Sequence, residues 1–585
     1  MGFDIKYHDV DLCVVGGGLS GICAAIAAAR EGVKVVLMHE RPMLGGNASS
    51  EIRMWVCGAG GSNNRETGIL EEISLLNLYR NPYKLYSVWD SVLYEKVNFE
   101  PNITLLLNCS CCDAEMNGNN IVSVKGWQLT TQSWQVVKAK IFMDCSGDSV
   151  LAPLTGAEFR IGRESKHEFN EIISVEVEDK KTMGMSCLIQ ARKLDFAVDY
   201  IAPDWALKLT AEDIKYRRPN VNSTYENFWY LELGGDRDSI ADSEIVRDEL
   251  LALAYGIWDY VKNSGEFDAD NWQLDFVGFL PGKRESRRMM GKYIMKQPDI
   301  TSGGKFEDVV AYGGWPMDDH NPGGFWHDGA PNENGETPSP YGIPYRTLYS
   351  VNIDNLMFAG RNISMTHAAM SSSRVMATCA LLGQAAGTAA AIAAKYNTSP
   401  DGVYTDHLKE LKDTLMFNDC FLPYNQRDVN ELTKKANLSA NCDNLRNGID
   451  RNNHTYGDAE QGYKCGIGEA IEYKFDEAAY VNKVRFVFDS DLDRVTLPGD
   501  RCEKQHSMRS NVIDASLKMC MPKTLVKKYD IIITDENGDV TTISEVNNIK
   551  RLVIADIGKK VKSVKFIPIE TWGFDDVNLY SFELY

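Results

Sequence analysis

The sequence of 585 residues predicts an α/β domain built on a parallel sheet, an inserted α+β domain and a C-terminal all-β sandwich. Three observations predict this fold class. A glycine-rich loop, VVGGGLSG at residues 14–21, joins a buried strand to a helix of small residues. A second strand-turn-helix pattern from residue 356 returns to the same domain. From about residue 440, apolar or alternating runs between Asp/Gly turns replace the helical patterns.

The chain is too long for one compact core, since a domain typically has about 150 residues. Within the insert we expect helices at residues 205–218 and 242–265 and a strand at 228–235, from the spacing of their apolar residues. The predicted units are a nucleotide-binding domain at 1–154, a substrate domain at 155–350, a segment completing the first domain at 351–396, a linker with one helix at 397–440, and the sandwich at 441–585.

Composition excludes several functions. The formal net charge of −20 gives no basic footprint, so nucleic acid is not an expected partner. We find no run of eighteen apolar residues and expect no membrane span. The N-terminus does not resemble a signal peptide, which predicts a cytoplasmic protein, or a periplasmic one if a signal was removed. The 14 cysteines form no zinc pattern, and no metal site is predicted.

The glycine-rich loop has the context that a dinucleotide-binding loop requires. We expect Gly16 to make the tight turn, Gly18 to let the backbone approach a pyrophosphate, and Gly21 to allow close packing of helix and strand. The first helical turn, with Leu19 and Ser20, directs its free N–H groups at the phosphates. This β-α-β unit predicts a bound dinucleotide.

The next stretch distinguishes between two dinucleotides. Glu40 ends the second strand, where a carboxylate can bind ribose hydroxyls. The sequence RPMLGGNASS after it resembles the R-x-x-x-G-G-x-x-S/T stretch of FAD-binding folds, and an NAD domain has no need for this second backbone approach. The sequence therefore predicts FAD. The candidate contacts of this stretch are Arg41, Gly45, Gly46, Asn47 and Ser49.

Two later segments complete the expected FAD site. A strand at 141–143 runs into a Gly-Asp turn, and a strand at 356–359 turns at Gly-Arg into an Ala/Gly-rich helix at 376–395. The N–H groups at the start of this helix can stabilise negative charge on a reduced flavin. The further expected FAD contacts are Cys109, Gly147, Asp148, Gly360, Arg361, Arg374 and Met376.

Over residues 8–395 these motifs resemble FAD-dependent oxidoreductases of the glutathione-reductase-like superfamily, in particular the bacterial branch related to succinate dehydrogenase and fumarate reductase flavoproteins. The resemblance implies hydride transfer at flavin N5. Fumarate reductases often carry the flavin on a histidine near the double glycine; no histidine lies between Gly45 and Gly61, which implies non-covalent FAD. The sandwich weakly resembles galactose-binding-like jelly rolls, which suggests carbohydrate, and a packing or oligomerisation module is the alternative.

Five residues are candidates for catalysis. His367 precedes the Ala/Gly-rich helix, and His320 lies in a Gly/Pro-rich loop; either can handle a proton. Arg284 belongs to PGKRESRRMMG, whose arginines share one side if the segment is helical, and can anchor a polar substrate or the flavin. Tyr345 is a further candidate, and Arg374 lies near the place of the substrate-binding arginine in the related flavoproteins.

These observations predict a FAD-dependent oxidoreductase acting on a small polar organic substrate, with a carbohydrate or derivative as one candidate. Two alternatives stay open: a flavin reductase or dehydrogenase of a carboxylate, with Arg374 binding the carboxylate, or a carbohydrate-binding protein in which the FAD fold is structural. The electron acceptor and the oligomeric state are left open.

Overall fold

The computed structural model describes residues 2–219, 228–440, 443–493 and 518–585. Contacts divide the chain into two compact units. The first contains the described residues of Met1–Ala59 and Tyr83–Leu411, and the second contains those of Gly60–Pro82, Lys412–Gln505 and Met519–Tyr585. Gly60–Pro82 thus groups with the C-terminal part rather than with the 1–154 domain, because Leu75 and Leu78 pack in the sandwich core.

The first unit is built on a sheet that is parallel at its centre, as predicted. The strand order is β3-β2-β1-β6-β5-β4, and β18 pairs with β6. Strands β3, β2, β1, β6 and β18 run parallel, whereas β4, β5 and β6 form an antiparallel meander. The bounds are β1 Ile5–Val15, β2 Val35–Met38, β3 Ile103–Leu106, β4 Cys109–Asn117, β5 Asn120–Gln128, β6 Ser133–Asp144 and β18 Leu356–Phe358.

The helices are α1 Leu19–Arg30, α2 Ile69–Arg80, α3 Tyr86–Asn98, α4 Leu151–Thr155, α5 Lys166–Phe169, α6 Ser243–Asn263, α7 Gln297–Thr301, α8 His367–Ser373, α9 Met376–Tyr396, α10 Pro400–Asp406, α11 Leu408–Phe417 and α12 Glu431–Lys435. The helix expected in the linker is divided in two, since α10 ends before His407 and α11 begins after it.

Helices α1 and α9 pack closely beside the parallel sheet. A Cβ on Gly383 would lie 2.0 Å from the Ser20 carbonyl oxygen, and a Cβ on Gly387 would lie 2.2 Å from that of Ala24. Helix α9 is also the one helix among the described residues with the length and hydropathy of a membrane span, and 94% of that window is buried inside the fold. The small residues of α9 therefore serve close packing.

This packing predicts the effect of enlarging Gly383. We expect Gly383→Leu to lower the free energy of unfolding by at least about 1–3 kcal/mol, because the new side chain collides with the backbone of α1. Urea denaturation measures the change. The control is Gly466→Ala, whose Cβ meets nothing nearer than 4.0 Å and should change stability by no more than about 0.5 kcal/mol. Equal stability of the two variants would contradict the packing.

The inserted part of the first unit consists of short strands around α6. Its hydrophobic core joins α6 to β8–β11 and the segment around Phe325. The strand bounds are β7 Phe159–Arg160, β8 Met185–Ser186, β9 Ile189–Lys193, β10 Glu232–Leu233, β11 Trp272–Val277, β12 Gly282–Lys283, β13 Arg288–Met289, β14 Val309–Gly313, β15 Met317–His320, β16 Asn332–Gly335 and β17 Tyr341–Pro344.

Two local predictions in the insert were wrong, and the helix considered for a third segment does not form. Residues 205–218 form turns rather than a helix, and only β10 of the expected strand at 228–235 is regular. The segment with Arg284, Arg287 and Arg288 is extended through β12 and β13, so these arginines do not share a helical face. In each case contacts with distant residues outweigh the local pattern, as where β12 pairs with β8.

The second unit contains the predicted C-terminal all-β part. Its antiparallel strands have the order β20-β25-β21-β24-β22-β23, with β19 beside β21. Strand β21 is a single long strand of 18 residues, and the core includes Phe486, Phe566 and Phe582. The bounds are β19 Asn437–Leu438, β20 Tyr463–Gly466, β21 Ile471–Phe488, β22 Val526–Asp535, β23 Val540–Glu545, β24 Leu552–Thr571 and β25 Asp576–Leu584.

Candidate functional site

The glycine-rich loop connects β1 to α1, and its glycines have different surroundings. Gly16 has φ +108°, and a Cβ there would lie 2.4 Å from the carbonyl carbon of Cys145. A Cβ on Gly21 would lie 1.9 Å from the Gly16 oxygen. Gly18, in contrast, has ordinary extended angles, and the nearest atom to its Cβ position is 3.9 Å away. Side chains at Gly16 and Gly21 would collide with backbone atoms, whereas a Cβ at Gly18 would make only an ordinary van der Waals contact with Gly46.

The double glycine lies against this loop. The Gly45 N–H donates to the Gly17 oxygen at 2.8 Å, and a Cβ on Gly46 would lie 3.1 Å from the Gly18 Cα. Nearby, Arg41 Nη1 and Ser49 Oγ are buried without a hydrogen-bond partner, and Arg41 Nη1 forms an ion pair with Glu51 at 3.5 Å. Unsatisfied buried donors beside an open backbone cradle fit the phosphates of a dinucleotide.

The acidic residue at the end of β2 stays accessible beside this cradle. The Glu40 side chain is 45% exposed and lies 3.6 Å from the Arg41 guanidinium. The neighbouring Asn47 donates to the Lys283 oxygen at 3.1 Å, which ties the double-glycine segment to β12. An accessible carboxylate next to the phosphate cradle fits the ribose of FAD.

The two distant turns predicted to complete the FAD site do come together. Asp148 accepts from Arg361 at 2.6 Å and from Lys283 at 2.8 Å. Burial raises the pKa of Asp148, but the charges of Arg361 and Lys283 outweigh it and hold this pKa well below its usual range. Gly147 has φ +77°, and a Cβ there would lie 3.2 Å from the Arg361 guanidinium. The carboxylate therefore holds Lys283 and Arg361 in place, and both side chains line a cavity of the first unit.

The other predicted FAD contacts lie at several places in the first unit. Leu19 and Ser20 are buried in the first turn of α1, and Gly360 has φ +120° with its Cβ position 3.1 Å from Ser20 Oγ. The Cys109 side chain is buried, and its N–H donates to the His39 oxygen at 2.8 Å. Met376 begins α9 and lines the cavity.

A cavity of about 390 Å³ opens in the first unit between the parallel-sheet part and the insert. One wall is aromatic: Trp55, Trp229 and Trp315 belong to one apolar cluster that also includes Val375. The polar residues of the lining are Asn47, Ser186, Lys283, Arg284, Asp318, His320, Asn332, Asn334, Arg361 and Arg374. The cavity thus combines an apolar wall with converging polar groups, as ligand sites do.

His320 lies in this cavity with a carboxylate on each side. Its Nδ1 is 2.7 Å from Glu232 Oε2, and its Nε2 is 3.3 Å from Asp318 Oδ2. Both contacts are within hydrogen-bond distance, and the contact with Glu232 is the shorter one. Each ring nitrogen therefore faces a carboxylate. Trp229 covers the imidazole with ring centroids 5.2 Å apart.

Carboxylates already pair the two arginines nearest His320. Arg284 lies 3.4 Å from Glu232, and Arg374 lies 3.1 Å from Asp318. Burial raises the pKa of both carboxyls, but the Arg284 charge beside Glu232, and the His320 hydrogen bond and Arg374 charge at Asp318, lower each pKa below its usual range. The Nε of Arg374 is buried without a hydrogen-bond partner. These ion pairs balance the charge in the cavity. They leave individual arginine N–H groups, such as Arg374 Nε, to donate to a ligand.

Two predicted catalytic residues lie outside the cavity lining. His367 is buried, with Nδ1 2.9 Å from Glu285 and Nε2 3.0 Å from Asp319. Burial lowers the pKa of His367, but the charges of Glu285 and Asp319 outweigh it and raise this pKa to about 10. Tyr345 is buried and donates to the Pro400 oxygen. The geometry does not support His367 as a proton acceptor or Tyr345 as a substrate contact.

The raised pKa of His367 makes stability depend on pH. Protonated His367 contributes fully below its unfolded pKa of 6.5, and the contribution is lost as pH rises to about 10. We expect the difference in free energy of unfolding between wild type and His367→Gln to be largest at about pH 6 and to shrink towards about pH 10. Urea denaturation at several pH values measures it. A difference independent of pH would contradict the assignment.

Sequence reasoning missed several residues of the cavity. Trp229 and Trp315 line it from the insert, Glu232 contacts its His320, and no local motif marks these three residues. Asp318 carried a signal, because alternation along β15 places it on the same side as His320. Within the part of the chain that the structure describes, no group of three or more His, Cys, Asp or Glu side chains is arranged to hold a metal ion.

The groove and the adjoining cavity define a flavin-dependent class of protein. The chain belongs to the FAD dependent oxidoreductase family, whose sequence model matches residues 11–415. FAD is its cofactor, and the chain is an oxidoreductase. No curated protein matches the sequence.

Solved structures of low sequence identity are also similar. A geranylgeranyl bacteriochlorophyll reductase-like protein from Thermoplasma acidophilum is 12% identical, with 71% of this chain and 85% of that chain covered and a TM-score of 0.30. Mycobacterium smegmatis Sdh1 is 13% identical, with coverage of 67% and 69% and a TM-score of 0.27. The myxobacterial chondrochloren halogenase CndH is 14% identical, with 32% of this chain and 45% of that chain covered and a TM-score of 0.23.

Proposed function

We propose that this FAD-dependent oxidoreductase oxidises a hydroxyl group of a neutral polyhydroxylated substrate, a sugar or sugar derivative, with His320 as proton acceptor. The observation that carries the proposal is the cavity itself, where His320, charge-balanced arginines and a tryptophan wall converge. FAD supplies the two-electron acceptor for the hydrogen on carbon.

The residues around Gly18, Arg41 and Ser49 support non-covalent FAD binding. The open backbone at Gly18 and the unsatisfied donors of Arg41 and Ser49 fit the pyrophosphate. Lys283 and Arg361, fixed by Asp148, lie in the cavity where they can face polar edges of the flavin. Their positive charges favour a reduced, negatively charged flavin over the oxidised one.

His320 is the residue best placed to move the proton. A substrate hydroxyl that replaces the long Asp318 contact can donate its proton to Nε2, while Glu232 keeps Nδ1 protonated and stabilises the imidazolium that forms. Burial of the pair strengthens this electrostatic support. The same arrangement can return the proton if the reaction runs as a reduction.

The rest of the lining supports a neutral substrate. Aromatic side chains such as Trp229 and Trp315 offer flat apolar surfaces with polar edges, which suit the C–H face of a sugar ring. Asn332 and Asn334 add amide groups for hydroxyls. A carboxylate usually binds an arginine through two parallel N–H donors, but Arg374 already uses Nη2 for Asp318.

The competing function is reduction or oxidation of a carboxylate at the same cavity. The unpartnered Nε of Arg374 is the observation that favours it. In that case the carboxylate must displace Asp318 from the guanidinium.

A substrate panel distinguishes the two functions. We expect the reconstituted enzyme to reduce an artificial electron acceptor with sugars and polyols as donors, and reduced enzyme to stay reduced with unsaturated carboxylates. The measurement is dye reduction at saturating substrate, followed by product identification by mass spectrometry. Reoxidation by unsaturated carboxylates with no turnover of any hydroxylated compound would overturn the proposal in favour of its competitor.

A further inference from the structure

On each face of strand β15, a histidine side chain lies between two carboxylates. Asp318 and His320 point to one face, where they meet Glu232 and the cavity. Asp319 points to the other face, where it meets His367, and His367 meets Glu285. The alternation of side chains along a strand produces this division. We call the second set, Asp319–His367–Glu285, the rear clamp.

The rear clamp is anchored in the first unit on several sides. Glu285 accepts from the Met183 N–H at 2.9 Å and lies 3.4 Å from Arg288. The backbone N–H of His367 donates to Glu164 at 2.9 Å, and Arg288 lies 3.0 Å from the same carboxylate. Asp319 is the member of the clamp that belongs to β15. A bond from His367 to Asp319 thus connects a fixed charged network to the strand that carries His320.

We infer that His367 is a positioning residue, which holds β15 through Asp319 so that Asp318 and His320 keep their places in the cavity. The inference rests on the proposed role of His320. Because backbone atoms link Asp319 directly to both neighbours, a shift of Asp319 moves both cavity residues. His367 is 1% exposed and outside the cavity lining, so it acts through the strand.

The charges of the clamp suggest how to test it. The variant His367→Gln removes the cation and leaves Asp319 as a mostly buried carboxylate without its partner, whereas Glu285 keeps Arg288. The double variant His367→Gln/Asp319→Asn also removes the unpaired carboxylate at position 319. It permits a neutral hydrogen bond between the two amide side chains. The matched control is Arg427→Gln, which breaks a buried pair with Glu583 in the second unit.

Two measurements decide the inference. Crystal structures of the variants give the His320 Nδ1 to Glu232 Oε2 distance, which is 2.7 Å in the native chain. Steady-state kinetics give kcat/KM as a function of pH. In His367→Gln we expect this contact to be broken, kcat/KM to fall by about 100-fold, and the pH profile to shift. In the double variant we expect the contact, the pH profile and most of kcat/KM to return.

The outcomes separate positioning from stability. Arg427→Gln should lower the unfolding midpoint while leaving the His320 contact and the pH profile native. If His367→Gln keeps the native contact, or if the double variant is no better than the single variant, the inference is wrong. If the wild type oxidises no hydroxylated substrate, the proposed function fails, and the crystallographic comparison still decides whether His367 positions His320.

Discussion

Gly18→Val should abolish FAD binding and leave the fold intact. Gly18 has φ −68° and ψ 177°, which valine adopts readily, and its Cβ position meets no atom closer than 3.9 Å. The added side chain would project from the backbone surface at Gly18 and Gly46 that we assign to the pyrophosphate. We expect the purified variant to be colourless and FAD affinity to fall by at least about 100-fold, a loss of about 2.7 kcal/mol. Isothermal titration calorimetry measures the affinity.

The control for this prediction is Gly21→Ala. Its new methyl group would lie 1.9 Å from the Gly16 oxygen, so this variant should lose stability even without FAD. The free energy of unfolding of the two apoproteins distinguishes a filled cradle from a damaged fold. Yellow Gly18→Val protein with native affinity would place the pyrophosphate elsewhere.

Replacement of His320 should have the largest effect on turnover. The variant His320→Asn removes the proton acceptor next to Glu232 but preserves polarity in the cavity. We expect kcat to fall by about 10²–10⁴-fold with FAD still bound, because a positioned general base contributes this much. Stopped-flow reduction of the bound flavin by substrate measures the step directly.

His327→Asn is the matched control for His320→Asn. His327 lies seven residues further on, contacts Asn321 at 3.2 Å and is outside the cavity lining. Its replacement should leave flavin reduction within about twofold of wild type. Equal loss in the two variants would show a general effect of the loop, and no loss in His320→Asn would remove His320 from the chemistry.

The parts of the fold that depend on local pattern were predictable. The strand, glycine loop and helix around Gly16 and Gly21 are set by turn geometry and by close backbone packing, which leave few alternatives. The Asp148–Arg361 pair lies more than two hundred residues apart in sequence, yet each partner follows a strand of the same parallel sheet. Their meeting follows from that topology.

The cavity was less predictable, since its chemistry comes from contacts across the insert. Glu232 lies in the two-residue strand β10, where the local pattern predicted a longer strand. Its partner His320 is 88 residues away in the sequence. Arg284 was a candidate anchor for a substrate or the flavin, and a helix was considered for its segment, because periodicity alone cannot detect the pairing of β12 with β8. His320 and His367 are both buried, and a motif does not reveal which of the two lines the cavity.

Anaerobic mixing of the FAD-loaded enzyme with a saturating sugar, followed by flavin absorbance, tests the central claim most directly. The account predicts that wild-type flavin bleaches in a single fast phase and that His320→Asn bleaches at least about 100-fold more slowly at the same FAD occupancy. Bleaching at equal rates in both proteins would contradict the role of His320. A wild-type flavin that no hydroxylated substrate bleaches would contradict the proposed oxidation itself.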